Sequence, residues 1–285
     1  MIKDIYYQRG APDPVLKNDT VLSIVRQFIP AAKEVNYVDE TGGEARVYAV
    51  DSDIILKVQR PQQLRLSTSL KKEAFFLGQL ENLPDINVPK VLGYGKLDTI
   101  EYTCMTRMPG IAVKYADLSA GQREKMLYDL GKMLFLIHNV NIKAFYESGF
   151  FPDIDKGVDD IKERLKVQFD WGVYRLSEKL SEAQKTKIHA AAAEQINRIT
   201  EVCIVPCHSN PSPPHVFVDG NKFTGIIDFG DAYISHPVFD IRRWPFADRA
   251  ALVAGYTSHG KTGKDFCVVY EVSLALDKMI NDLSK

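Results

Sequence analysis

His208-Ser209-Asn210-Pro211-Ser212-Pro213-Pro214-His215-Val216-Phe217-Val218-Asp219-Gly220-Asn221-Lys222-Phe223-Thr224-Gly225-Ile226-Ile227-Asp228-Phe229-Gly230-Asp231 is the stretch on which the reading of this chain turns. Its middle is a β-hairpin. His215 to Val218 and Phe223 to Asp228 are rich in β-branched and aromatic residues, and Asp219-Gly220-Asn221 between them accepts the backbone angles of a tight turn. Antiparallel pairing sets the start of the first strand beside the end of the second, so His215 and Asp228 are expected together at the open end. The proline-rich loop from His208 to Pro214 feeds into that end. One small region therefore collects His208, Asn210, His215, Asp228 and Asp231.

Upstream, Ile54-Ile55-Leu56-Lys57-Val58 is an apolar, β-branched run interrupted by one lysine, and Ala45 to Val50 precedes it across the turn Asp51-Ser52-Asp53. A lysine inside such a strand costs free energy unless an ionic partner meets it; on an edge strand it instead snorkels to water. From Ser69 to Glu81 the period becomes helical, with Leu70, Ala74, Leu77 and Leu80 on one face and Lys71, Lys72 and Glu73 beside it. Glu73 is the obvious partner for Lys57. Val88 to Gly95 and Glu101 to Met105 supply two more strands before Pro109-Gly110 breaks the pattern. At the start of this half, Val21 to Ile29 reads as a short helix capped from Asn18-Asp19-Thr20 and closed by Pro30.

Beyond Gly110 the chain reads as long helices. Capping-box pairs Ser119/Gln122 and Ser181/Gln184 open two of them, the first carrying Met126, Leu127, Leu130, Leu134 and Ile137, the second running over about 182–200 with Ile188, Ala192, Ile196 and Ile199 on one stripe. A further helix is expected over about 157–179. The organisation is thus α+β in two lobes: a small β-rich one over residues 1–105 and a larger helical one over 106–285, with a hinge at Met105 to Gly110.

With 36 basic and 37 acidic residues the formal net charge is −1, which disfavours a nucleic-acid or anionic-membrane partner. Met1 to Gly10 hold no apolar leader and no uncharged run is long enough to span a bilayer, so neither secretion nor a membrane span is expected. The four cysteines, Cys104, Cys203, Cys207 and Cys267, are too sparse for a disulfide framework; a reducing compartment, the cytoplasm, is the expectation. Cys203, Cys207 and His208 match no zinc spacing, and the two cysteines are expected to share the buried face of one strand.

The pattern His208-Ser209-Asn210, then His215, then Ile227-Asp228-Phe229-Gly230-Asp231 resembles the catalytic loop and metal-binding segment of the aminoglycoside phosphotransferase family, which has a protein-kinase-like bilobal fold. In that family the loop reads His-Gly-Asp, four residues, then Asn. His215 in the last place resembles the aminoglycoside 2''-phosphotransferase branch. The resemblance covers roughly residues 35–245 and includes Lys57 and Glu73 as the ion pair of the first lobe. It implies a kinase that uses ATP or GTP with Mg²⁺ on a small hydroxylated acceptor, as a monomer or dimer.

By resemblance, Lys57 holds nucleotide phosphates, Gly42 and Gly43 in the loop Thr41 to Glu44 approach them, and the segment Met105 to Met108 meets the base. The glycine loop on its own is just a turn. Asp228 is the expected Mg²⁺ ligand, with His215 either a second ligand or a residue that orients the loop by hydrogen bonding. His208 matches a structural position under the loop, and Asp231 and Asp240 are either site acids or a cap and a loop anchor. Asn210 departs from the family because it stands where the proton-accepting aspartate belongs. It leaves open a slow or differently organised kinase, a nucleotide- or metabolite-binding pseudokinase, and a deliberate replacement.

The acceptor classes implied are aminoglycoside-, macrolide-, amino-alcohol- and sugar-like. A polycation needs an acidic cleft, for which Asp159, Asp160, Glu163 and Asp170 are candidates, whereas Arg242 and Arg243 in the cleft would favour a neutral or anionic acceptor. The plain alternatives are a solvated helix face and surface salt bridges.

Overall fold

The computed structural model describes residues 15–39, 43–63, 69–152, 154–260 and 262–283. Its first half is built on β1 (Val35–Asp39), β2 (Ala45–Val50), β3 (Ile54–Gln59), β4 (Val91–Leu97) and β5 (Ile100–Thr106), all paired antiparallel in the order β1-β2-β3-β5-β4. Short turns at Asp51 and Asp98, both with positive φ, fold neighbouring strands back on one another. Lys57 lies on the middle strand, opposite Val47 on one side and Thr103 on the other, and is buried. It therefore has no sheet edge at which to snorkel.

Two helices flank this sheet. In α1 (Asn18–Val25) Lys17, not Asn18 or Asp19, takes the N-cap position: its extended carbonyl receives the N–H groups of Thr20 and Val21, so Asn18 already belongs to the helix. The helix ends at Val25, short of Pro30. In α2 (Leu70–Leu80) the Ser69 hydroxyl accepts the Lys72 N–H at 3.0 Å and fixes the start. The buried face of α2 is Leu70, Glu73, Phe76, Leu77 and Leu80 at helical spacing, with Lys72 buried as well. Glu73 therefore lies on the apolar face, not beside it, and this decides how it meets Lys57.

The second half begins at Gly110, whose φ of +86° suits glycine, and where a Cβ would stand 2.0 Å from the Val218 carbonyl oxygen. There the chain adds β6 (Ile111–Ala112) to the hairpin β8 (Val216–Asp219) and β9 (Lys222–Ile226), in the order β6-β8-β9. Both capping boxes form, opening α3 (Ala120–His138) and α6 (Glu182–Asn197). Between them run α4 (Ile142–Ser148) and α5 (Val158–Arg175). A second ribbon pairs β7 (Val205–Cys207) with β10 (Tyr233–Ser235), and the chain continues through α7 (Val238–Ile241), α8 (Arg249–Ser258) and α9 (Lys264–Leu283). No helix among the described residues is long and apolar enough to cross a membrane.

Two apolar clusters form the interior. The smaller joins α1 to the sheet through Val21, Ile24, Tyr48, Leu56 and Cys104. The larger runs from α2 through α3 and the hairpin to α9, so Phe76 of α2 packs its ring 4.8 Å from Phe145 and 4.9 Å from Phe229. The cysteine expectation is corrected here: β7 begins at Val205, so Cys203 lies outside it, beside His236 and Asp265, whereas Cys207 is buried with His138 and Asp240. The strand is short because Glu201 to Ile204 have no ladder partner.

Candidate active site

The centre of the site is an ionic cluster that joins the sheet, α2 and the end of the hairpin. Lys57 Nζ donates to Glu73 Oε1 at 2.7 Å and Oε2 at 3.0 Å, and to Asp228 Oδ1 at 3.0 Å. Burial opposes the Lys57 ammonium, yet the charges of Asp228 and Glu73 win and lift its pKa well above the ordinary value. Lys57 in turn holds the Asp228 carboxyl well below the usual carboxylate range. Burial pushes Glu73 up while Lys57 pulls against it, and Glu73 Oε1 also accepts the Phe229 N–H at 3.3 Å. Glu73 thus positions the lysine. The Asp228 side chain is 45% exposed, so its charge is accessible from solvent.

As the hairpin geometry requires, His215 and Asp228 meet at its open end, with His215 Nε2 at 3.3 Å from Asp228 Oδ2. His215 Nδ1 lies 2.8 Å from the Asn210 carbonyl, which can only accept, so Nδ1 carries a proton and Nε2 is the ring atom turned to Asp228. His208 is fully buried beneath the loop, its ring 4.5 Å from that of Phe229. Its Nε2–H donates to the Ile227 carbonyl at 2.9 Å and its Nδ1 accepts the Asn210 N–H at 3.2 Å. Burial lowers its pKa to about 4, in keeping with a neutral ring that both accepts and donates.

Asp240 holds the catalytic loop in place. Its carboxylate accepts the N–H groups of His208 and Ser209, each at 2.8 Å, and lies 3.0 Å from His138 Nε2, while His138 Nδ1 reaches the Tyr256 hydroxyl. Burial would raise the Asp240 carboxyl, but the His138 hydrogen bond and charge, with help from His208, hold it below its ordinary value. Of the two sequence alternatives for Asp240, the loop anchor is the one observed. Ser209 has φ +83° and Asp228 φ +75°, so both non-glycine residues sit in the left-handed region beside the chemistry.

Other expected residues lie apart from this cluster. Gly43 is exposed with open space around its Cα, and Thr41 and Gly42 lie outside the described residues. Met105 is buried on β5 opposite Ile55 and Val91, and the Met108 thioether packs against Gly225 under the hairpin. Arg242 is engaged at the surface with Gln168 and Asp277, whereas Arg243 Nε donates to the Ser209 carbonyl beside Asn210. The acidic residues of α5 do not form an acidic cleft: Asp159, Glu163 and Asp170 share their cavity with Lys162, Lys166 and His189, and Lys166 Nζ is 3.0 Å from Asp170. Sequence reasoning missed His138 and the approach of Arg243 to the loop. A histidine ending the apolar stripe of α3 reads as an ordinary C-terminal cap.

The chain belongs to the phosphotransferase enzyme family, whose sequence model matches residues 38–266. That membership makes it a phosphotransferase acting on a hydroxyl group. Its fold is similar to that of aminoglycoside 2'-phosphotransferase-IIIa in its GDP complex, with TM-score 0.63 and 15% identity over 94% of this chain and 92% of the other. It is also similar to APH(2")-IIa in a ternary complex with streptomycin and ATP, at TM-score 0.60, 18% identity, and 94% and 92% coverage. Macrolide 2'-phosphotransferase MphH from Brachybacterium faecium aligns with TM-score 0.60 and 16% identity over 93% and 92% of the two chains. No curated protein matches the chain.

Proposed function

We propose that this protein is a small-molecule kinase that transfers the γ-phosphate of ATP or GTP to a hydroxyl of an aminoglycoside-, macrolide-, amino-alcohol- or sugar-like acceptor. The nucleotide lies between the lobe of residues 1–105 and that of 106–285. The observation that carries this reading is the buried Lys57, held by Glu73 and 3.0 Å from Asp228, the lysine that the sequence resemblance assigns to nucleotide phosphates. The Lys57 ammonium, aimed by Glu73 and beside Asp228, offers its charge to phosphate oxygens. By resemblance, backbone groups of Met105 to Met108 would meet the base and the loop of Gly43 the phosphates. The similar solved structures include complexes with GDP, ATP and ADP, and with streptomycin, kanamycin and gentamicin.

The donor set beside Asn210 fits Mg²⁺. Asp228 Oδ2 and His215 Nε2, 3.3 Å apart, are the two side-chain donors that would hold the ion, the first a hard oxygen of the kind Mg²⁺ prefers. Asp228 would be the stronger ligand because it adds charge to a donor atom, and His215 would offer Nε2 as the second donor. When bound, the ion supplies charge neutralisation at the transferring phosphoryl group. Asn210, held by His208 and His215 through its backbone, orients the acceptor hydroxyl by its amide and takes no proton. In a loose transition state that proton leaves late, so transfer proceeds without a strong base.

A phosphoryl-transfer screen with ATP and GTP separately, against antibiotics, sugars and amino alcohols, tests the proposal. Transfer to at least one acceptor is expected, with Lys57→Ala losing most nucleotide affinity by calorimetry. Nucleotide binding without any transfer would instead favour the pseudokinase alternative, which rests on Asn210 alone and has no support from the family match or the similar structures.

A further inference from the structure

A cavity of about 420 Å³ opens beside the catalytic loop, with Ser209, Asp231, Tyr233 and Arg243 among its walls. It shares the walls Gln168, Tyr233 and Arg243 with a second of about 550 Å³ that reaches α9. The walls of the two carry Lys72, Arg164, Arg175, Arg242, Arg243 and Arg249 against Asp231 and Asp277. With Asp155 added, which grips Arg164 through two hydrogen bonds, and Lys72 left out, the described arginines still exceed the acids by two in a chain whose formal net charge is −1. Positive charge is thus concentrated beside Asn210.

We infer that the acceptor carries an anionic group, a phosphate or a carboxylate, next to the hydroxyl that is phosphorylated; this rests on the kinase reading above and specifies its substrate. The distribution of partners points to Arg243. Arg242 and Arg249 both lean on Asp277, and Arg164 on Asp155. Arg243 makes its hydrogen bond through Nε to the Ser209 carbonyl, and among the described residues no ion pair engages it. A guanidinium tethered at Nε keeps its two terminal nitrogens as a planar fork that matches an oxyanion. Because the tether is the carbonyl of the residue before Asn210, the fork is fixed relative to the loop that orients the acceptor hydroxyl. Arg175, exposed at the end of α5 and also without an ion pair among the described residues, extends the same field along the outer cavity. A polycation entering here meets like charge that the acidic run of α5 does not offset, since that run lines a different cavity together with two lysines.

The test is calorimetric binding to the full chain with Mg²⁺ and a non-hydrolysable ATP or GTP analogue present. The probes are matched sugars, polyols and amino alcohols that differ in one substituent (hydroxyl, phosphate ester, carboxylate or amine), with kanamycin as a polycation. In at least one set the anionic member should bind about tenfold or more tightly than its neutral and amine counterparts, and the advantage should shrink as salt rises. The phosphate and carboxylate arms tell which anion is meant. Arg243→Gln should remove most of the preference and Arg243→Lys restore part of it, because charge returns without the fork. Arg175→Gln, remote from the loop, should cost about threefold and covers the case in which Arg243→Gln disturbs the loop itself. Tighter binding of neutral or amine members, or binding of no member, overturns the inference. Parallel transfer assays separate the two readings: anionic binding without transfer sinks the kinase proposal alone, whereas transfer to neutral or cationic acceptors with anions unbound sinks this inference alone.

Discussion

On the proposed kinase reading, Asn210 is the residue at which the rate of transfer is decided. Its amide orients a hydroxyl but accepts no proton, and the absence of a positioned general base costs about 10²–10⁴ in rate. Asn210→Asp should therefore raise the rate on a genuine acceptor at least about tenfold with nucleotide affinity little changed, as steady-state kinetics and calorimetry would show. An equal or lower rate would mean that the site is organised around the amide. Asp228→Ala should impair Mg²⁺-dependent nucleotide binding more than His215→Ala, because a hard cation gains charge as well as a donor from the carboxylate; equal damage in titrations of Mg²⁺ would reverse that ranking. His208 links the site to pH. Its folded pKa of about 4 lies below the ordinary 6.5, so the unfolded chain takes up the proton first as pH falls. Its contribution is intact above pH 6.5 and lost progressively down to about 4, some ~3 kcal/mol in all. Urea unfolding across that window should show a shallower loss for His208→Gln than for the native chain.

At the scale of elements, the site stands on close contacts between backbones. α3 and α8 cross with Gly131 against the Leu252 carbonyl and Gly255 against the Tyr128 carbonyl, where an added Cβ would lie 1.9 Å from the latter oxygen. Alanine at Gly255 gains about 1 kcal/mol of helix propensity but overpacks a rigid contact at about 1–3 kcal/mol, so the helices must part. Chemical denaturation of Gly255→Ala should show a net loss of stability. The same crossing brings Tyr256 of α8 to His138 of α3, and His138 to Asp240, so parting the helices should also slow transfer without removing any site residue.

At the scale of the whole molecule, the two halves are joined by apolar packing and by the ionic cluster. Phe76 of α2 packs among Phe145, Phe151 and Phe229, and Lys57 reaches Asp228 across 171 residues of sequence. Phe76→Ala should cost about 3–5 kcal/mol and weaken nucleotide binding as well, because α2 carries Glu73 on the same face. Thermal unfolding and nucleotide titration of one sample check both effects; a stability loss with full nucleotide affinity would show that α2 holds Glu73 without that ring.

Some of this was legible in the sequence because short-range rules encode it. The Asp219-Gly220 turn folds the hairpin whose open end brings His215 to Asp228, although the ladder shifts by one residue between Phe217 and Val218; serines three residues before glutamines open α3 and α6, and a lysine in an apolar strand followed by a helix with one glutamate names its own partner. That Glu73 lies on the buried face of α2, that Asp240 gathers His208, Ser209 and His138, and that Arg243 and not Arg242 reaches the loop were decided only by the tertiary structure. Those groups come from segments 31 to 102 residues apart, and only the packing of their helices and ribbons brings them together. A local pattern records which side chain a residue has and which face it turns; the distant groups that fill that face are chosen by how the whole chain packs.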